Sequence, residues 1–177
     1  MTRSFGWPCI LLLAGLLLGP VMPPGRPAAA AVRPPKHGLR GSYYQNADLT
    51  ALALTRVDPT VDFDWGEAGP TEDISPDSFS VRWEGQVVAP ANGTFTFFTQ
   101  TDDGVRLWVN DQQLIDEWVN EAVTEWSGQI ALKKGHKYPI VMEYYENTSA
   151  AIARLLWTGP RTPKAIIPTK ALIPPRN

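Results

Sequence analysis

The chain has 177 residues, with 16 Lys and Arg against 18 Asp and Glu for a formal net charge of −2. At roughly 150 residues per domain this is one folded unit with extensions, and a 44% hydrophobic share beside 19% charged residues excludes wholesale disorder. Cys9 is the single cysteine, which excludes an intrachain disulfide and a thiol-based metal site, and near-neutral charge without a basic run argues against nucleic acid as a partner.

The start of the chain predicts a secretory signal peptide over residues 1–31. Arg3 precedes a ten-residue apolar run from Cys9 to Leu18, too short for the about 20 helical residues that cross a bilayer. Ala28 to Ala31 then supply small-residue cleavage sites. Cleavage there removes Arg3 and Arg26, so 14 cations face the same 18 acids and the mature charge is −4. The expected location is secreted, extracellular or at the cell surface, with no membrane insertion after cleavage. Seven of the 17 prolines lie at or before Pro35 and five at or after Pro160. Proline lacks a ladder donor and fixes φ, so the ends read as arms. The predicted layout is an arm over 32–37, a domain over 38–174 and a tail over 175–177.

Within that domain the pattern is strand after strand. Phe79, Val81 and Trp83 alternate with Ser80, Arg82 and Glu84, the period of a half-buried strand. Thr94 to Thr99 is rich in β-branched and aromatic residues. Val105, Leu107 and Val109 alternate with Arg106, Trp108 and Asn110, and Asn110-Asp111 supplies a turn. Ile130 and Leu132 lead into a Lys/Gly turn, after which Tyr138, Ile140, Met142 and Tyr144 form another alternating face; Ile152 to Trp157 closes the series. The segment from Thr162 to Pro174 has an apolar pattern suited to a last edge strand. No long stretch has helical spacing, so the prediction is an all-β fold, an antiparallel sandwich or barrel. Trp83, Trp108, Trp126 and Trp157 are expected in the core.

One segment carries chemistry. Asp102-Asp103-Gly104 joins two strands. Asp-Gly favours a tight hairpin turn, and that is the first reading; two adjacent carboxylates also make a partial site for a hard cation such as Ca²⁺, which takes six to eight oxygens. Taken with Gly38 to Tyr44, Val61 to Trp65, Phe79 to Trp83, Gly93 to Phe97, Thr101 to Asn110, Leu114 to Asp116, Tyr138-Pro139 and Glu143 to Asn147, the chain resembles the protective-antigen amino-terminal domain family, found in bacterial glycosidases, adhesins and yeast flocculins. The resemblance implies a β-sandwich of antiparallel sheets. It further implies a calcium site in which Asp102 and Asp103, joined by a cis peptide, are met by the Asn147 side chain and the backbone carbonyls of Ser149 and Ala151. Those five oxygens leave a vacancy that a sugar diol suits. The expectation is therefore a secreted, non-catalytic carbohydrate-binding or adhesion module. Its ligand is a glycan or cell-surface polysaccharide, bound by Asp102, Asp103 and Asn147 beside an aromatic such as Trp118 or Tyr145. The alternative is a structural or protein-interaction domain of an extracellular assembly.

Two features bear on that site. Asn147-Thr148-Ser149 and Asn92-Gly93-Thr94 are both glycosylation sequons, and a glycan on Asn147 would block the proposed ligand. No catalytic residue is assigned: His37 and His136 stand near no nucleophile, and the carboxylates Asp62, Asp64, Asp116, Glu117, Glu143 and Glu146 read as turn caps or solvated strand faces, with no pair singled out for glycoside hydrolysis.

Overall fold

The computed structural model describes residues 1–2 and 35–176; residues 3–31 of the predicted signal peptide, with Cys9, lie outside them. In chain order the strands are β1 (Leu39–Tyr44), β2 (Leu52–Asp58), β3 (Asp62–Gly66), β4 (Ser80–Val88), β5 (Gly93–Asp102) and β6 (Val105–Val109). They continue with β7 (Gln112–Glu117), β8 (Thr124–Leu132), β9 (Lys137–Tyr145), β10 (Ala151–Gly159), β11 (Thr162–Ile166) and β12 (Leu172–Ile173), the last two separated by a short 3₁₀ turn, Thr169–Ala171.

Two antiparallel sheets result. The larger runs β2-β1-β4-β9-β6-β7, with β12 also on β4; the smaller runs β11-β10-β5-β8, with β3 also on β10. Both short additions continue a neighbour's edge. Strand β1 pairs with β4 over Ser80–Glu84 and β12 takes Gln86 and Val87, while β3 covers Ala151–Arg154 of β10 and β11 covers Leu156–Gly159. The tail predicted as an edge strand thus divides between the two sheets.

The alternation read from the sequence sorts side chains as expected for a sandwich. Val105, Leu107 and Val109 are fully buried, as are Val81, Trp83, Met142 and Tyr144 from the facing positions. Trp157 is buried and Trp126 packs against the core. Trp108 does not belong there. It shares parity with Arg106, so burying Leu107 turns the indole to the outer face, where it lines a shallow cleft with Arg82, Arg106 and Glu143. On that face Arg40, Glu84, Arg82, Glu143, Arg106 and Asp116 form a cross-strand ladder of alternating charge.

A buried carboxylate holds one end of the larger sheet. Asp58, at the end of β2, is 3% exposed. It accepts hydrogen bonds from Tyr43 Oη at 2.6 Å, Trp83 Nε1 at 2.7 Å and Arg56 Nε at 2.7 Å. The Arg56 guanidinium also lies 4.4 Å from the Tyr43 ring centroid. Burial, with the Asp58 charge adding to it, pushes the Tyr43 hydroxyl well above the ordinary phenol range. Strands β2, β1 and β4 are cross-tied through this one side chain.

Sheet membership also decides where the loops meet. Strand β5 belongs to the smaller sheet and β6 to the larger, so Asp103-Gly104 is a crossover between layers and not the hairpin predicted from Asp-Gly. A two-residue hairpin occurs instead at Asn110-Asp111 between β6 and β7, with φ of 51° and 60° at its two residues, as a type I′ turn requires. The chain changes sheet again between β7 and β8 and between β9 and β10. Register places these three of the chain's changes of sheet at one pole. Val105 stands opposite Tyr144 and Glu117 in one sheet, and Asp102 opposite Ile152 and Thr101 opposite Thr124 in the other.

Candidate functional site

At that pole the crossovers bring three carboxylates together. One oxygen each from Asp102, Asp103 and Glu146 lies within 4.8 Å of the others. The Asp102–Asp103 peptide is cis. Asp103 is 6% exposed and anchored on both oxygens: the Glu121 amide donates to Oδ1 at 2.9 Å and the Asn147 amide to Oδ2 at 2.8 Å. Each oxygen retains a lone pair for a further partner.

Glu146 is the residue the sequence reading placed on a turn or solvated face. It is fully buried. Its Oε2 accepts from Tyr144 Oη at 3.1 Å, and its Oε1 has no partner. The Asp102 carbonyl is a second acceptor within reach of the same hydroxyl, whose single proton is shared between it and Glu146. Burial, reinforced by the Asp103 charge, pushes the Glu146 carboxyl up to about 8. The same causes, burial first and then Asp103, raise Asp102. Tyr144 is raised by burial and then Glu146. Three acids this close repel one another, and a buried oxygen without a donor is costly. A hard cation relieves both at once, and the donor set, all oxygen, suits one.

The remaining predicted residues lie around this cluster. Asn147 reaches Asp103 through its amide, while its carbonyl accepts from the Ser78 amide at 3.1 Å. Ser149, at φ 87°, donates its amide to Asp77 Oδ1 at 3.3 Å. Ala151 begins β10 opposite Gly66. Ser149 and Ala151 therefore share the β9–β10 crossover with Glu146 and Asn147. Tyr145 is 8% exposed and donates its hydroxyl to Asn120 Oδ1 at 2.7 Å. Its ring lies 4.7 Å from that of Trp118 between centroids, and the Arg106 guanidinium sits 4.1 Å from the Trp118 centroid. Tyr145 thus lies against the crossover at Gly104, and Trp118 packs on Tyr145 and Arg106.

Gly104 is the hinge of the crossover. A Cβ there would lie inside the contact radius of the Tyr145 ring, with Cδ1 only 2.9 Å away. Gly104→Ala is expected to push Tyr145 off Asn120 and lower stability by about 1–3 kcal/mol, as overpacking does; denaturant unfolding checks this.

A family model described as "PA14 domain" matches residues 35–171. Among curated proteins, anti-sigma-I factor RsgI3 of Acetivibrio thermocellus is 50% identical over 137 residues, covering 77% of this chain and 21% of that protein. Among solved structures, an anti-sigma factor domain-containing protein superposes with a TM-score of 0.79 at 48% identity, over 80% of this chain and 49% of the other. A PA14 sugar-binding domain from an RTX adhesin shares the fold, with a TM-score of 0.66 at 17% identity, over 80% of this chain and 100% of that one. The chain thus spans about a fifth of that curated relative and half of the solved one. With the family model matched over residues 35–171 and the β-sandwich in agreement with it, the chain belongs to the PA14 domain family.

Proposed function

We propose that the domain is a non-catalytic carbohydrate-binding module working at an extracellular surface, with its glycan held through a Ca²⁺ ion. Asp102, Asp103 and Glu146 would supply the charge, and Asn147 with the carbonyls of Ser149 and Ala151 would complete the oxygen set. The observation that carries this is the buried, unpartnered Glu146 oxygen beside the acid pair. A solvated turn has no need of such an atom, and of the buried polar atoms without a partner this is the carboxylate oxygen that stands beside two further acids. Bound calcium would supply positive charge and open coordination positions for two vicinal hydroxyls. The protein's own part is to fix the Asp103 carboxylate through the Glu121 and Asn147 amides and to keep bulk water from Glu146. The sugar-binding PA14 domain of the RTX adhesin supports the ligand class. The similarity to RsgI3 supports a compatible setting, in which glycan capture by this domain is linked to an anti-sigma factor in a longer chain.

Thermal unfolding and glycan-array binding, each in Ca²⁺ and in chelator, test the proposal. Calcium at about a hundred times its dissociation constant should add about 2.7 kcal/mol of stability, and array signals should vanish on chelation. Coincident melting curves with an empty array in both conditions would leave only the interaction-domain alternative.

A further inference from the structure

Charge is sorted along the domain. Among the described residues Arg40, Arg56, Arg82, Arg106, Arg154 and Lys164 are ion-paired with carboxylates. Lys36, Lys133, Lys134, Lys137, Arg161 and Lys170 are exposed and form no such pair. These six stand together at the pole where the chain enters and leaves. The β8–β9 turn is tied to the β4–β5 loop, with the Lys134 amide on Asn92 Oδ1 at 2.7 Å and the Gly135 amide on the Ala89 carbonyl at 2.8 Å. Pro90 of the same loop lines a cleft with Arg161 and Lys170, and Lys36 shares another with Pro174 and Arg176. The acids toward this end are engaged or set aside. Asp58 is buried under Arg56, Glu84 pairs with Arg40 and Arg82, and Asp111 lies in the β6–β7 hairpin at the edge of the larger sheet. Like charges gathered without partners repel one another, and the turn is held by the backbone amides of Lys133 and Lys134 rather than by their ammonium groups.

We infer that this cationic pole docks on the surface of an anionic phospholipid membrane, with the carboxylate pole turned away from it. The spread of the cations favours a plane over a strand of charge. They come from separate segments on both sheets: Lys36 precedes β1, Lys137 begins β9 two strands away, and Arg161 lies between β10 and β11 of the other layer. With strands about 4.8 Å and layers about 10 Å apart, the patch extends about 10 Å in both directions before side-chain reach is added. A linear polyanion follows one track and meets one or two of these segments; a plane of phosphates meets all of them. Prolines 163, 168, 174 and 175 stand among the cations with no exposed aromatic side chain, so contact is with headgroups and not by insertion. The carboxylates at the far pole are repelled by the same phosphates, which fixes the orientation.

The test is sedimentation with lipid vesicles. Residues 32–177 are used, because both sheets and the described core lie within them and they form a compact unit from Pro34 onward. Chelator is present throughout, so that no calcium bridges phospholipid to the carboxylates and the outcome is independent of the calcium reading. The domain should sediment with vesicles of phosphatidylglycerol and phosphatidylcholine but not with phosphatidylcholine alone, and should be released at about 1 M salt, where the screening length is about 3 Å. Each neutralised cation should weaken binding about fivefold, so K133Q/K134Q/K137Q should lose about a hundredfold and R161Q/K170Q about twenty-fivefold. Failure to sediment, equal sedimentation with both kinds of vesicle, or binding that survives both variants would overturn the inference. Loss in only one variant would overturn it too, and would place a linear polyanion along that segment.

Discussion

Asp103→Asn is expected to abolish the calcium-dependent rise in melting temperature and to weaken the metal-free domain by about 1–3 kcal/mol. Both effects follow from the same side chain. Its two oxygens accept the Glu121 and Asn147 amides, which tie the β7–β8 and β9–β10 crossovers to the β5–β6 crossover. An asparagine keeps one acceptor and turns an NH₂ toward the other amide, so a nearly buried donor loses its partner at about 1–3 kcal/mol. It also removes one of three negative charges facing the cation. Glu146→Gln separates the two consequences. Calcium affinity should fall by more than about tenfold, because a buried charged ligand is lost. Without calcium the variant should be no less stable than the parent at neutral pH, since Gln removes a carboxyl that burial and Asp103 already disfavour in its charged form. Terbium titration and urea unfolding in chelator measure the two. If Glu146→Gln bound calcium as tightly as the parent, Glu146 would not be a ligand.

Asp58→Ala is expected to be the most damaging substitution for stability, lowering it by about 3–5 kcal/mol or preventing folding at 37 °C. Three donors lose their acceptor together: the Tyr43 hydroxyl and the Trp83 indole, both on fully buried residues, and the Arg56 guanidinium. No water reaches the first two, so the loss exceeds that of an ordinary surface ion pair. Asp58→Asn should cost less, because one carbonyl oxygen in the place of Oδ2 still accepts from both Tyr43 and Trp83, and only Arg56 loses its acceptor. Urea denaturation of both variants checks the order. Calcium affinity should not change in Asp58→Asn, because Asp58 lies at the β2 end of the sheet opposite Leu39, away from the Ser80–Tyr145 end that faces the acids.

How much of this was legible in the sequence differs from element to element. Strand parity was. Residues 105, 107 and 109 point inward because two-residue alternation is a local property of extended backbone, and the same rule, applied consistently, puts Trp108 outside. It also contained a signal for Glu146 that went unread. Ile140, Met142 and Tyr144 set the inward parity of β9, and 146 is the next position in that series. A charged residue on a core register is a better marker of a binding site than charge alone. Sheet membership was not legible. Asp-Gly and Asn-Asp both announce a reversal of the chain, but whether the next strand pairs with its predecessor or joins the opposite layer depends on partners far away in sequence. Hence the hairpin was expected at 103–104, where the chain in fact changes layers. Asp58 was hidden for the same reason, since two of its three donors, Tyr43 and Trp83, come from other strands.

The positions of the domain's two ends have a consequence for any longer chain that carries it. Gly38 donates its amide to the Leu172 carbonyl at 3.0 Å, so entry and exit lie side by side. Leu172 stands against Val87, while the acids lie beyond Ser80 at the far end of the same strand, about 23 Å away at 3.3 Å per residue. A module whose ends emerge together on the side opposite its mouth can be spliced into a host loop without parting the flanking sequence, and its open face is then held outward like a lamp on a stalk.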